Sequence, residues 1–371
     1  MITCKNDRML ELLWFVGFCG EMPSQLALRV GGHPDWNRHV KYRAIHEGYL
    51  TVFRGKDRQR VIRSLRLTEK GLDYISERDP AALAFILAKH HGGTISRNNM
   101  EKTMRRHSLA IALLMSVNAG AEILPTRKPG LLPDDPKITE EPTRPIYYTA
   151  EELRVGIQAF EPNSVAKTSR ILGVIVSGKQ CFCLYHTGHT RMYWMRNQEE
   201  NTVASIETLL SSRGFHCTVF NQVIIGSNLN VAVRIARYKL NGRSRYFTLS
   251  DEYNHCYFLV NNSTGDELLG ILINPERRQA FDKSVLKEYS PPPEWTRYCE
   301  AITLDGKRPV ILGYPFDLLR LYDLDGSHTG FKESPILLCF DYQREALQTI
   351  TGPLVEVRPF QGGFADERET Q

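Results

Sequence analysis

Seven basic side chains, Arg54, Lys56, Arg58, Arg60, Arg63, Arg66 and Lys70, fall within residues 53–71 against only two acids, Asp57 and Glu69. Guanidinium and ammonium groups at this density suit one task above others, neutralising phosphates and releasing the counterions condensed on a nucleic acid. Just upstream stand Asn37, Arg38, Lys41 and Tyr42, whose spacing places them along one side of a helix. Arg38 and Lys41 can reach guanine edges, and Asn37 can pair with adenine. The expected DNA-binding residues are therefore Asn37, Arg38, Lys41 and Tyr42 on the helix, and Arg54, Lys56, Arg58 and Arg60 beyond it. The partner they fit is double-stranded DNA.

Other chemistry has weaker support. The stretch "CFCLYHTGH" brings Cys181, Cys183, His186 and His189 within nine residues, a soft ligand set that zinc accepts. Zinc sites usually separate their two ligand pairs by a dozen or more residues, so the cysteines read instead as core positions of a strand, and no metal is expected. Glu151, Glu152, Glu199 and Glu200 form helical pairs, which read as solvated faces. His107, beside Arg105 and Arg106, is read as a further DNA contact or a solvated helix face. No phosphate loop, Ser-His-Asp set or nucleophile elbow is visible, so neither a cofactor nor an enzymatic activity is expected.

The elements that must position the basic residues follow from periodicity. Leu10, Leu13, Trp14 and Phe18 recur at helical spacing from Asp7 to Cys19, and Gly20 stops the run. A short helix is expected in "MPSQLALRVG", with Leu26 and Val30 inward, and a third begins at Pro34-Asp35 with Trp36, Val40, Ala44 and Glu47 along its inner side. "YLTVF" and "VIRSLRLT" read as two strands around a Gly-Lys-Asp turn, and Thr68 caps a closing helix. Three helices, a hairpin and a helix make the plan of a winged helix-turn-helix over residues 1–78, with the charged stretch as its wing.

Residues 79–124 read as a helical connector whose Leu109, Leu113 and Val117 stripe is expected to pack within its own chain, with a homodimer through it as the alternative. Residues 125–145 contain six prolines and read as a linker or extended surface segment. Residues 146–371 alternate strands and helices, giving a mixed α/β domain in which "TRMYWM" is taken as a third strand. The fold class is thus α+β in the first part and α/β in the last. Net charge is +5, yet residues 1–78 hold 14 basic and 9 acidic side chains, so the remainder sums to zero and the acidic partner belongs to the N-terminal part. Eight cysteines scattered among apolar residues point to a reducing compartment, hence the cytoplasm. Lys5 and Arg8 before "MLELLWFVGFCG" have the look of a signal peptide, but Glu11 interrupts the run and no small-residue cleavage site follows, so an amphipathic first helix is expected and no membrane span.

The order of a winged helix, then "RRHSLAIALLMSVNAGAE", then "YTAEELR" before "SRILGVIVSG", "LYHTG" and "MYWMRNQEE" resembles the replication-relaxation family and related mobilisation accessory proteins of plasmids and integrative conjugative elements. The likeness covers roughly residues 1–215. It implies a DNA-binding accessory protein acting beside a relaxase or replication initiator in replication, relaxation or conjugation, with a second half resembling a PD-(D/E)XK nuclease core. Such a core needs carboxylates on adjacent strands to hold Mg²⁺. Here "ILGVIVS", "QCFCLYH" and "RMYWM" contain none, which makes this a degenerate, partner-binding relative. A ligand-sensing winged-helix transcriptional regulator and a metal-dependent nuclease with migrated acids are the alternatives.

Overall fold

A computed structural model describes residues 7–57, 60–89, 100–160, 169–189, 192–237, 246–249, 252–293, 299–324 and 333–360. Among these, twelve α-helices and three sheets make a mixed α and β fold. The chain divides into two compact units, residues 1–128 and 129–371. No described helix is long and apolar enough to cross a membrane.

The first unit is built around α1 (Arg8–Cys19). Its N-terminus is closed by Asp7, whose carboxylate accepts from the Leu10 N–H, and its C-terminus by Gly20 in the left-handed region. Every residue from Met9 to Cys19 is buried, so α1 is a central core helix rather than an amphipathic one. Around it the order is β1 (Met22–Pro23), a 3-10 turn (Leu26–Arg29), α2 (Pro34–His46), β2 (Leu50–Asp57), β3 (Arg60–Leu67), α3 (Glu69–Arg78), α4 (Pro80–Lys89) and α5 (Met100–Asn118). Leu26 and Val30 point inward as expected, but Pro23 lies in β1, which pairs antiparallel with β3. The sheet order is β1-β3-β2. Thr68 caps α3 through the Gly71 N–H. A Cβ on Gly71 would stand 2.4 Å from the Tyr49 carbonyl oxygen, so only glycine lets α3 approach the base of the hairpin this closely.

Helices α4 and α5 pack on α1, so residues 79–124 are part of the first unit and not a separate connector. Leu113 and Val117 are buried within the single chain, as expected of a stripe that packs in its own chain, and Leu109 is half-buried. What holds α5 on the sheet is polar. The Glu21 carboxylate has no solvent exposure and accepts from Arg66 Nη2 at 3.1 Å and Thr103 Oγ1 at 3.1 Å, with Arg106 Nη1 at 3.7 Å. Beside it Ser64 Oγ and His107 Nε2 are 2.8 Å apart, and the Arg66 guanidinium lies 3.9 Å from the centre of the Phe53 ring. His107 is thus a core residue, correcting its reading as a DNA contact or solvated position.

The second unit holds two sheets. The first contains β4 (Ile146–Thr149), β5 (Gly173–Ser177), β6 (Gln180–Gly188), β7 (Val219–Gly226) and β8 (His255–Val260) in that spatial order, antiparallel from β4 to β6 and parallel from β6 to β8. Helices α6 (Ala150–Phe160), α7 (Arg196–Ser212) and α8 (Leu229–Arg237) bury Leu153, Ile157, Ile206, Leu209 and Ile235 in a core shared with this sheet. The second sheet has the order β12-β11-β10-β9, formed by β9 (Ala301–Ile302), β10 (Pro309–Leu312), β11 (Ile336–Cys339) and β12 (Glu356–Pro359), with β10, β11 and β12 parallel. Parallel neighbours need crossovers, supplied by α7, α8, α11 (Leu318–Asp323) and α12 (Arg344–Thr351). Helices α9 (Ser263–Leu272) and α10 (Pro275–Val285) follow β8.

The unit boundary at residues 128/129 falls inside the proline-rich stretch, and the rest of that stretch is tied to the second unit: the buried Arg213 donates to the carbonyls of Pro133, Asp135 and Pro136, and the Tyr148 hydroxyl donates to that of Pro129. Prolines lack the N–H that a ladder needs, so these side chains, one guanidinium and one hydroxyl, hold the segment through its carbonyls. Of "TRMYWM", expected as a third strand, Thr190 and Arg191 lie outside the described residues, and Met192–Met195 form no strand: among them Tyr193 alone makes a bridge, to Tyr246.

Replacing Glu21 with Ala should destabilise the protein by about 3–5 kcal/mol in urea unfolding, because it leaves the buried Arg66 charge unpaired. Burial, opposed by the attraction of Glu21 and joined by the push of Arg66, holds the His107 imidazole down to about 4 from 6.5. The unfolded chain therefore takes up this proton first. The corresponding stability is full above pH 6.5 and is lost as pH falls through about 4, on the order of 2–3 kcal/mol. Unfolding free energies at pH 7 and pH 4.5 should differ by less in His107→Gln than in the parent.

Candidate nucleic-acid interface

Helix α2 starts where Pro34 supplies a preset φ and His33 Nδ1 accepts from the Asp35 N–H. Only Asn37 and Ala44 are buried along it. This rotates the helix from its expected orientation. Trp36, expected inward, is 60% exposed, and Asn37, expected to face DNA, is 5% exposed. The Asn37 amide donates to the carbonyls of Leu28 and Gly31, so it ties α2 to the preceding 3-10 turn and does not read bases.

With Ala44 and Asn37 inward, the outward line is Asp35, His39, Tyr42 and His46, at i, i+4, i+7 and i+11. Arg38 flanks it on one side; Arg43 and Trp36 flank it on the other. Tyr42 is 62% exposed, with the Lys41 ammonium 5.3 Å from its ring centre. Partial burial, then the charge of Arg38, lowers the Lys41 ammonium below its ordinary value. Arg38 pairs with Asp35 at 2.8 Å and Arg43 with Glu47 at 2.6 Å, both within the helix and exposed. Such pairs contribute little stability and can be exchanged for an external anion. Sequence reasoning missed Trp36, His39, Arg43 and His46 as surface groups; the signal was Ala44, the one small apolar residue able to sit against the core.

The hairpin register places Arg54 directly opposite Arg63, and Lys56 opposite Val61. Alternation puts these four on the same face as Leu50, Val52, Leu65 and Leu67. Nearest the turn of chain into α3, that face is core; two residue pairs further out it is exposed and cationic. Among the described residues no carboxylate lies within ion-pair distance of Arg54, Lys56 or Arg63. Like charges directly opposite one another destabilise an antiparallel pair, so this arrangement is one that an anion would relieve. Arg66 lies on the opposite face in its buried pair with Glu21, and Lys70 donates to the Glu47 carbonyl; neither belongs to the cationic tip. Arg58 lies outside the described residues, and of Arg60 only the backbone is described.

Elsewhere, Cys181 and Cys183 are fully buried core residues of β6, as their alternation implied. Among the described residues no group of three or more His, Cys, Asp or Glu side chains is placed to hold a metal ion. Glu199 corrects its reading as a solvated residue. It is buried in the first turn of α7, where its carboxylate accepts from Ser169 Oγ and the Arg170 N–H, each at 2.7 Å. Burial pushes its carboxyl up from the ordinary value, and these hydrogen bonds pull it back. Glu152 likewise accepts from the Thr149 N–H and hydroxyl, and Glu151 pairs with Arg154.

No family model, curated protein or solved structure matches the chain.

Asn37→Ala should lower stability by about 1–3 kcal/mol, since two carbonyls are deprived of their buried donor. Its effect on DNA binding at a temperature where the variant is folded should be the same for all duplex sequences. A changed base preference in a selection experiment would return Asn37 to the base-reading role.

Proposed function

We propose that the first unit binds double-stranded DNA as a winged helix-turn-helix, with α2 in the major groove and the β2–β3 hairpin as a wing along the backbone. The observation that carries this reading is the cationic tip, Arg54 against Arg63 with Lys56 beside them and no ion pair to any of the three among the described residues. The order α1, β1, 3-10 turn, α2, β2, β3, α3 and the three-stranded sheet support it. So does the outer stripe of α2, whose Arg38, His39, Tyr42, Arg43 and His46 offer donors and a ring at helical spacing, the form that major-groove readout requires. The charge excess confined to residues 1–78 agrees.

On the motifs that resemble the replication-relaxation family, the reading extends to an accessory protein of a mobile genetic element that places a relaxase or replication initiator on DNA. The second unit then serves binding and not cleavage. In support, β5 and β6 carry no carboxylate, and Glu151, Glu152 and Glu199 are engaged by neighbouring groups of the protein.

The test is the salt dependence of binding to a 20-base-pair duplex by fluorescence anisotropy. Each phosphate that the protein no longer neutralises reduces the slope of log K against log salt by about 0.9. Arg54→Ala with Arg63→Ala should therefore flatten the slope by about two units and weaken all duplexes alike. A slope unchanged in that double variant would remove the wing from the interface.

A further inference from the structure

We infer that the second unit carries a separate platform for single-stranded nucleic acid, built from Tyr193, Tyr246 and Arg170. The two tyrosines are partners in an antiparallel bridge, and the adjoining hydrogen bond runs from the Phe247 N–H to the Met192 carbonyl at 2.8 Å. This makes Tyr193 and Tyr246 a pair of the kind not joined by its own hydrogen bonds, in which Cα atoms approach to about 4.5 Å and the side chains stand closest together. Alternation along both short segments is strict. Met192, Trp194 and Phe247 point inward, with Trp194 packed edge-on to Phe247 and tilted against Tyr185. Tyr193, Met195 and Tyr246 point outward and are 43%, 54% and 51% exposed. A rigid, buried aromatic layer thus supports two neighbouring rings that face solvent.

The cation beside them is fixed from below. Glu199 holds the Arg170 backbone N–H and the Ser169 hydroxyl, which sets where Arg170 leaves the core; its guanidinium then lies 5.8 Å from the centre of the Tyr193 ring. Among the described residues no carboxylate lies within ion-pair distance of Arg170, whereas Arg196 is engaged by Glu200 and Glu252. Adjacent exposed rings with this guanidinium at their margin match what an unstacked strand presents, flat bases joined by phosphates. A duplex keeps its bases stacked on one another and offers the rings nothing to cover them. The charge also disfavours an acid-poor protein surface as the occupant. This platform is independent of the hairpin and would let one chain hold duplex and unpaired DNA together.

The probe is 5′-fluorescein-labelled dT20, titrated with the full chain at low ionic strength and followed by anisotropy. Tyr193→Ala with Tyr246→Ala should weaken dT20 binding roughly tenfold or more, since each ring that stacks on a base makes a contribution of that size. Tyr193→Phe should keep the parent affinity, because the ring and not the hydroxyl meets the base, and Arg170→Ala should reduce both affinity and salt slope. Arg54→Ala with Arg63→Ala should leave dT20 binding in place while it weakens the duplex. Near-ultraviolet circular dichroism of the Trp194 cluster checks that the tyrosine variants remain folded; should the double variant not fold, Arg170→Ala and Tyr193→Phe decide the matter. Parent affinity in the tyrosine double variant, no binding of dT20 by the parent, or abolished dT20 binding in the hairpin variant would each overturn the platform.

Discussion

A carboxylate with no solvent exposure sits at the centre of the first unit. Glu21 lies between the strand that opens the sheet, the strand that closes it and the helix packed across it, and it accepts from Arg66 and Thr103 with Arg106 nearby. Desolvating such a group costs several kcal/mol, and only good geometry on all its partners offsets that cost. The consequence is positional. An apolar contact would let α5 slide on the sheet, whereas these hydrogen bonds admit one register. By holding Arg66 on the inner face of β3, the network also decides which arginines of the hairpin remain outside.

The hairpin shows how one strand pair can serve stability and binding together. Its two faces alternate, and the face that is apolar beside α1 and α3 becomes cationic once it passes beyond them. Opposed arginines cost a few tenths to about 1 kcal/mol in a ladder. The buried base of the same strands, with Leu50, Leu65 and Leu67, more than offsets this. Separation along the strand keeps the repulsive pair away from the residues that fold it.

In the second unit the same logic works through single polar anchors. Arg213 gathers three carbonyls of a proline-rich segment that has few N–H groups to offer. Glu199 fixes the main chain at Ser169 and Arg170. In both cases a charged group that would be costly if unpaired is buried where it orders an irregular stretch of chain. Aromatic packing then completes the order, as with Trp194 between Tyr185 and Phe247.

Much of the plan was legible in the sequence. Local rules were enough for the helix ends at Asp7, Gly20 and Thr68, for the hairpin, and for Cys181 and Cys183 as core positions, because each depends on residues a few places apart. Orientation was another matter. Asn37 and Trp36 exchanged places because the facing of α2 is set by carbonyls at Leu28 and Gly31 and by the space available to Ala44. His107 and Glu199 were misread for the same reason: their partners Ser64 and Arg170 are 29 or more residues away. The amino-acid order determined which segments are helix or strand and where the charge lies. Tertiary structure decided which charged and polar groups are buried, since desolvation depends on neighbours that only folding brings together.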